Sequence, residues 1–142
     1  MKAIHLQLFW FERHQTLLDF DELPELTPAQ VALLKAWAKN KRKILKFEVH
    51  QQPWIKIGYD GNATQIICKP TGEVFEENLF GQQVNQGAWK VENGLLIITI
   101  QDGEYRMDYR IVGSKDNSVH VGSEYLNNRP SGYVKFVQTK PI

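Results

Sequence analysis

Apolar residues near the start of the chain recur with a period of two. The first set consists of Ile4, Leu6, Leu8 and Trp10. Phe9 and Phe11 lie between and after them, so the end of the segment is apolar on both faces. This alternation is typical of a β-strand. We therefore predict an N-terminal strand whose end is covered on both sides.

A helical pattern begins at the sequence Thr27-Pro28-Ala29-Gln30. It offers a helix-capping threonine, a proline suited to the first helical position and the glutamine of a capping box. The apolar residues that follow at helical spacing are Val31, Leu33, Leu34, Trp37 and Ala38. Asn40 and the basic residues around it favour a helix end. The pattern predicts one α-helix at about residues 28–40.

From Lys43 onward the apolar period returns to two. Leu45, Phe47 and Val49 alternate with polar residues, which predicts a strand. Further strands are predicted at about 54–59, 64–69, 72–76, 88–92, 95–101, 104–112, 118–124 and 132–138. Short turns such as Asn93-Gly94 and Asp102-Gly103 separate them, so neighbours are expected to be antiparallel. A meander of this length closes into a barrel and thereby removes exposed edges.

The segment 77–87 carries few apolar residues and is rich in amides and glycines. We expect a loop there. A mobile loop across a barrel mouth and a plain surface connection both fit the sequence, and the plain connection is the commoner arrangement.

The composition is that of an ordinary globular domain, and we expect one domain spanning residues 1–142. There are 17 basic and 16 acidic residues, so the net charge of +1 gives no reason to expect a nucleic-acid partner. No apolar run approaches the ~18 residues of a membrane span, and no signal-peptide cleavage site follows the apolar start. We expect a cytoplasmic protein. The single cysteine, Cys68, predicts a buried thiol without a disulfide or zinc role.

The sequence Gly87-Ala88-Trp89-Lys90-Val91-Glu92-Asn93-Gly94-Leu95-Leu96-Ile97-Ile98, followed by Tyr105, Tyr109 and Ile111, resembles the calycins. These are the lipocalin-like and fatty-acid-binding-protein-like barrels, and small bacterial lipocalin-like domains are the nearest pattern. The resemblance implies a lipocalin-like barrel that carries a small apolar molecule, although some relatives are enzymes. The glycine-any-tryptophan motif lies past the middle of this chain rather than near its start. No family site is therefore transferred to these residues.

Tyr105, Met107, Tyr109 and Ile111 share one face of a predicted strand. Inside a barrel, its two phenols would offer polar groups on an apolar wall, which suits an amphipathic ligand. The predicted ligand-binding residues are Trp89, Tyr105, Met107 and Tyr109. Simple filling of the barrel is the alternative and the commoner role of such side chains. The opposite face, with Arg106, Asp108 and Arg110, is either solvated or binds an acidic partner.

Residue types that carry catalysis or bind metals are scattered along the chain. The histidines are His5, His14, His50 and His120, and none has a ligand-spaced neighbour. The serines lack a nucleophile-elbow sequence, and carboxylate pairs such as Asp19 with Asp21 lie in predicted loops. No glycine-rich phosphate loop occurs. We predict no catalytic residue, metal or cofactor.

Three functions remain open at this point. The first is a small-molecule binding protein that holds an apolar or amphipathic ligand in a β-barrel. The second is a protein–protein interaction module, an inhibitor or assembly subunit, that uses an exposed face or the acidic segment 19–26. The third, ranked last, is a barrel enzyme with an interior site of tyrosine, arginine and carboxylate groups.

Overall fold

The computed structural model describes residues 3–115 and 118–140. Three helices are α1 (Ala3–His14), α2 (Pro28–Lys39) and α3 (Lys46–His50), with a short 3-10 turn at Phe20–Glu22. The strands are β1 (Lys41–Arg42), β2 (Trp54–Ile57), β3 (Ala63–Cys68), β4 (Glu73–Glu77), β5 (Gln83–Glu92), β6 (Leu95–Asp102), β7 (Tyr105–Ser114), β8 (Val119–Leu126) and β9 (Arg129–Gln138). The fold is mainly β, as the sequence predicts.

Strands β2 to β9 form a closed antiparallel barrel in which each strand pairs with the next along the chain. Pairing of β2 with β9 closes the cylinder, and the two-residue β1 pairs with the last two residues of β7. The Asn93-Gly94 turn has positive φ at both residues, 53° and 80°, as a tight hairpin between right-twisted strands requires. The up-and-down meander predicted from the turns is confirmed.

Helix α2 is also confirmed, and the contacts at its N-terminus explain why the helix begins at Pro28. Thr27 Oγ1 accepts a hydrogen bond from the Gln30 backbone at 3.2 Å, and Gln30 Oε1 accepts one from the Thr27 backbone at 2.9 Å. Pro28 occupies the first turn, where its missing N–H costs no hydrogen bond.

The predicted N-terminal strand is wrong, because the segment forms helix α1. Residues 4, 7, 8 and 11 are all buried, and this spacing is that of one helical face. The helix lies on the outside of the barrel, where Ile4 and Leu8 pack with Val112 and Val121. Its other side meets α2, so both flanks are apolar. Because apolar residues occupy two sides of this helix, its sequence shows an apparent apolar period of two.

The predicted strand after Lys43 is also wrong. Only Lys41–Arg42 pair as a strand, and Lys46–His50 form α3. Of the three apolar residues on the predicted face, Val49 is buried, while Leu45 and Phe47 are 49% and 48% exposed. The short helix turns Val49 into the barrel end and leaves the other two outside.

The predicted loop at 77–87 is correct only for its first part. Residues 78–82 form a turn in which Asn78 Oδ1 accepts hydrogen bonds from the backbone of Phe80 and Gln82, each at 3.0 Å. Strand β5 begins at Gln83 and pairs with β4. Cross-strand pairing overrides the weak strand propensity of glutamine and asparagine.

The core has two parts. The main cluster fills the barrel with inward side chains from all the barrel strands except β8, and Trp54, Ile66, Val74, Ile98 and Phe136 are fully buried in it. The smaller cluster lies outside, between α1 and the outer faces of β7 and β8. Among the described helices, none has the length and apolar character needed to cross a membrane.

Candidate functional site at the open end of the barrel

One end of the barrel is closed by α3 and a large indole. Trp54 is fully buried there, and its Nε1 donates to the Val49 carbonyl at 3.0 Å. Trp89 lies towards the same end, where its Nε1 donates to the Lys69 carbonyl in the β3–β4 turn at 2.7 Å. The Trp54 contact fixes α3 across the end of the barrel, and the Trp89 contact fixes the β3–β4 turn beside it.

A buried polar network lies beneath α3. Glu48 is paired with Arg42 at 2.9 Å, and Arg42 also donates to Gln138. His120 Nδ1 accepts a hydrogen bond from the Ser114 backbone at 2.8 Å, so its Nε2 carries the proton and donates to Gln138. Burial lowers the pKa of His120 although the Gln138 contact opposes that shift. His120 is thus a structural histidine with both ring nitrogens hydrogen-bonded.

The other end of the barrel is bordered by the turns at 58–62, 78–82, 103–104 and 127–128. Most inward side chains near it are half-buried, with Glu76 and Tyr109 as the buried exceptions, whereas those near α3 are fully buried. Water therefore reaches the interior from this side, which we call the open end. Its inward residues form what we call the cup: Lys56, Thr64, Glu76, Asn85, Met107, Tyr109 and Glu124.

The floor of the cup contains an ion pair between Lys56 Nζ and Glu76. The side chains are 13% and 4% exposed, respectively. Glu76 accepts further hydrogen bonds from Thr64 Oγ1 at 2.7 Å and Asn85 Nδ2 at 2.8 Å. Burial by itself raises the pKa of Glu76, but the Lys56 charge and these hydrogen bonds lower it more. Glu76 is therefore held as a carboxylate inside the barrel.

Tyr109 lies between this pair and a second carboxylate. Lys56 Nζ donates to the Tyr109 hydroxyl at 3.1 Å and lies 4.7 Å from the centre of its ring. The Tyr109 hydroxyl itself points to Met107 Sδ at 3.8 Å, and the carboxylate of Glu124, its cross-strand neighbour, is near enough for its charge to act on the phenol. Burial and then the charges of Glu124 and Glu76 raise the pKa of Tyr109. The phenol consequently stays neutral and accepts the Lys56 hydrogen bond between the two carboxylates.

Glu124 differs from Glu76 in its partners. It is half-buried and accepts a hydrogen bond from Ser131 Oγ at 2.8 Å. Within the described residues no ion pair involves Glu124. The cup thus offers one ammonium, two carboxylates and a phenol, which can bind the polar end of a ligand by charge and hydrogen bonding.

The four predicted ligand-binding residues do not come together. Tyr109 and Met107 lie in the cup, where Met107 Sδ is 3.8 Å from the Tyr109 hydroxyl. Trp89 belongs to the packed core towards the closed end, and Tyr105 is 61% exposed beside the β6–β7 turn. Lys56, Glu124, Thr64, Asn85 and Glu76 were not among the ligand-binding residues predicted from the sequence. A polar residue at an inward position near a turn was the available signal.

Exposed apolar side chains occur around the open end. Phe80 is 92% exposed, Tyr59 67%, Leu79 60% and Val84 50%. With Tyr105 they form what we call the rim. Exposed large apolar side chains concentrated at one place favour a binding surface.

Neither the metal-binding residue types nor the comparisons with known proteins indicate a function. The described residues contain no group of three or more histidine, cysteine or acidic side chains arranged to hold a metal ion. Comparison of the chain with protein-family models, curated proteins and solved structures found no match.

Proposed function

We propose that the protein binds a small amphipathic molecule at the open end of its barrel. The polar part of the ligand contacts the cup, at Lys56, Tyr109 and Glu124, and its apolar part lies against the rim. The sequence resemblance to carriers supports the same function class. A compound with both a polar and an apolar part matches these two surfaces.

The observation that carries this proposal is the charged cluster at the open end, above a barrel interior filled by apolar side chains. Taking Lys56 and Glu76 out of water costs free energy that their attraction offsets only in part. An apolar pair of similar size at these positions is often as stable or more stable. A role in ligand recognition gives a physical reason for keeping the charges.

The packing limits how deep the ligand reaches. Tyr109 is 1% exposed, and Ile98, Ile66 and Phe136 fill the barrel towards α3. Eight-stranded barrels have interiors that side chains can fill or that hold one small ligand. We therefore place the ligand above Tyr109.

A blocking substitution at Gly132 tests the proposal. Gly132 is the cross-strand neighbour of Glu124, and a Cβ added there meets no atom closer than Glu124 Oε1 at 3.7 Å. The Gly132→Leu side chain would project over Glu124 and occupy the cup. Lys135→Leu is the matched control, because it puts the same side chain on the exposed face of the same strand.

The assay is a nitrogen-15 NMR titration with n-octylamine, n-octanoate and n-octanol. We expect saturable shifts of amides around the cup with at least one compound, loss of those shifts in Gly132→Leu and their retention in Lys135→Leu. Absence of saturable shifts with all three at millimolar concentration would overturn the proposal. Equal shifts in wild type and in Gly132→Leu would overturn the location.

A further inference from the structure

A groove of about 810 Å³ lies on the outside of the barrel, away from the cup. It runs over the outer faces of β5, β6 and β7 and is bordered by the first residues of α1 and by Phe20. Its volume is within the usual range of small-molecule sites, roughly 300 to 1,000 Å³. The groove shares no lining residue with the cup.

The floor of the groove is apolar because β6 is apolar on both faces. Leu96, Ile98 and Ile100 point inward, while Leu95 and Ile97 point outward and remain half-exposed. Helix α1 covers the outer faces of β7 and β8 around Val112 and Val121. The part of β6 around Ile97 lies beyond that cover and faces the groove.

Two cations flank this floor in one cross-strand row. Ile97 is paired with Lys90 on β5 and with Arg110 on β7. Adjacent strands are about 4.8 Å apart, so the two cationic residues originate roughly 10 Å from each other across Ile97. Their side chains can therefore contact a single small molecule lying on Ile97.

The charge of the groove is positive. Its lining contains four cations, Lys43, Lys90, Arg106 and Arg110, and two carboxylates, Glu92 and Asp108. Asp108 is already bound by Arg106 at 3.2 Å and by Thr99 at 2.7 Å, and Glu92 is paired with Lys90 at 2.7 Å. Among the described residues, no ion pair involves Lys43 or Arg110.

Arg110 is held in place by aromatic contacts. Its guanidinium carbon lies 4.6 Å from the ring centre of Tyr125 and 5.5 Å from that of Phe20. Such contacts restrain the guanidinium plane, and a restrained fork of N–H donors suits a carboxylate or phosphate. The anion would replace water at Arg110 while the ligand body covers Ile97.

From these contacts we propose that the groove is a second ligand site, specific for a small organic anion with a flat apolar body. Arg110 and Lys90 hold the carboxylate or phosphate, and Leu95 and Ile97 hold the apolar body. Lys90 exchanges its weak, solvent-exposed pair with Glu92 for the ligand anion. This inference is independent of the cup, because the two sites lie on opposite faces of the sheet.

The test uses three probes with the same ring system: 2-naphthoate, 1-naphthyl phosphate and the neutral 2-naphthalenemethanol. Nitrogen-15 NMR titration locates binding by amide shifts of β6 and β7. We expect one or both anions to shift these amides with an affinity about tenfold or more above that of the alcohol, as a charge-assisted contact implies. The better anion shows whether carboxylate or phosphate is preferred.

Arg110→Met removes the charge and keeps an unbranched side chain against Phe20 and Tyr125, and Lys90→Met does the same on β5. We expect each to weaken anion binding by about tenfold and to leave binding of the alcohol unchanged. Lys35→Met, an exposed change on α2, is the matched control and keeps wild-type affinity.

Three results would overturn the inference. Equal affinity for the alcohol and both anions would remove the anion specificity. Binding of a glutamate-rich hexapeptide without binding of the small anions would make the groove a protein contact. No shift of groove amides at millimolar probe would remove the site, whatever the octyl compounds do at the cup.

Discussion

Substitutions in the buried Lys56–Glu76 ion pair distinguish the effect of the pair on the free energy of unfolding from its role in ligand binding. Lys56→Met removes the ammonium and leaves Glu76, 4% exposed, as a carboxylate without its cation. Breaking a buried pair in this way costs about 3 to 5 kcal/mol. Thr64 and Asn85 still donate to Glu76, so we expect a value near the lower limit. A loss of about 3 kcal/mol lowers the folding constant by about two orders of magnitude.

The double variant Lys56→Met/Glu76→Met removes both charges and keeps similar side-chain volumes. We expect it to recover the stability lost by the single variant and to equal or exceed the wild type, by up to about 4 kcal/mol. It should nevertheless lose ligand binding at the cup, because the groups that bind the polar end of the ligand are gone. Lys35→Met on α2 should stay within about 0.5 kcal/mol of wild type.

Urea unfolding followed by tryptophan fluorescence measures these changes, since Trp54 and Trp89 are buried in the barrel. A double variant as unstable as the single one would show that the charges stabilise this fold, and the reasoning from desolvation would be refuted. A double variant that keeps wild-type ligand affinity would refute the assigned role of the pair.

The pH dependence supplies an internal check. The folded-state pKa of Glu76 is lowered, so its contribution is present above the unfolded value of about 4.3 and is lost as the pH falls through the folded value. Without Lys56, burial raises the Glu76 pKa with only hydrogen bonds opposing it. We therefore expect the deficit of Lys56→Met to shrink between about pH 7 and pH 5. A constant deficit over this range would contradict the assignment.

Three further predictions concern other parts of the barrel. His120 has a lowered pKa in the folded protein, so its neutral form stabilises the fold above about pH 6.5, and this stability is lost as the pH falls towards the folded-state pKa. His120→Gln should reduce this loss, as measured by urea unfolding. Gly87→Ala places a Cβ 2.0 Å from the Thr99 carbonyl oxygen, so we expect about 3 kcal/mol of destabilisation, against under about 1 kcal/mol for Gly132→Ala, measured in the same way. Burial raises the pKa of Cys68 to about 12, so it should react with a thiol reagent only in urea, and fast labelling of the native protein would contradict its buried position.

Turn chemistry made the barrel predictable from the sequence. Tight turns such as Asn93-Gly94 require positive φ, which asparagine and glycine adopt readily, and a two-residue turn forces its strands to be antiparallel neighbours. Repeating that constraint along the chain leaves few topologies besides a meander. The helix at Pro28–Lys39 was predictable for a similar reason, because its capping box is a local signal.

The two wrong predictions have a common cause. Helix α1 lies between the barrel and α2, and α3 sits against the barrel end, so neither has the single apolar stripe that identifies a surface helix. Apolar residues alternate with polar residues around Phe47 and Val49, but Phe47 is exposed while Val49 is buried, so burial does not follow the same alternation. An apolar period of two indicates a β-strand only when the other face of the segment is exposed to solvent. In these two segments tertiary contacts determine which residues are exposed.

The cup was harder to predict because its members are far apart in sequence and joined only by barrel closure. Lys56 and Glu76 belong to β2 and β4, and Glu124 reaches them because β9 pairs with β2. One regularity was nevertheless present. Lys56 follows inward Trp54, Glu76 follows inward Val74, and each precedes a turn at the same end of the barrel. Once the meander fixes which turns share an end, polar residues at inward positions before those turns must converge. In a barrel of this kind, counting inward positions from each turn finds the charged cluster before any side chain is placed.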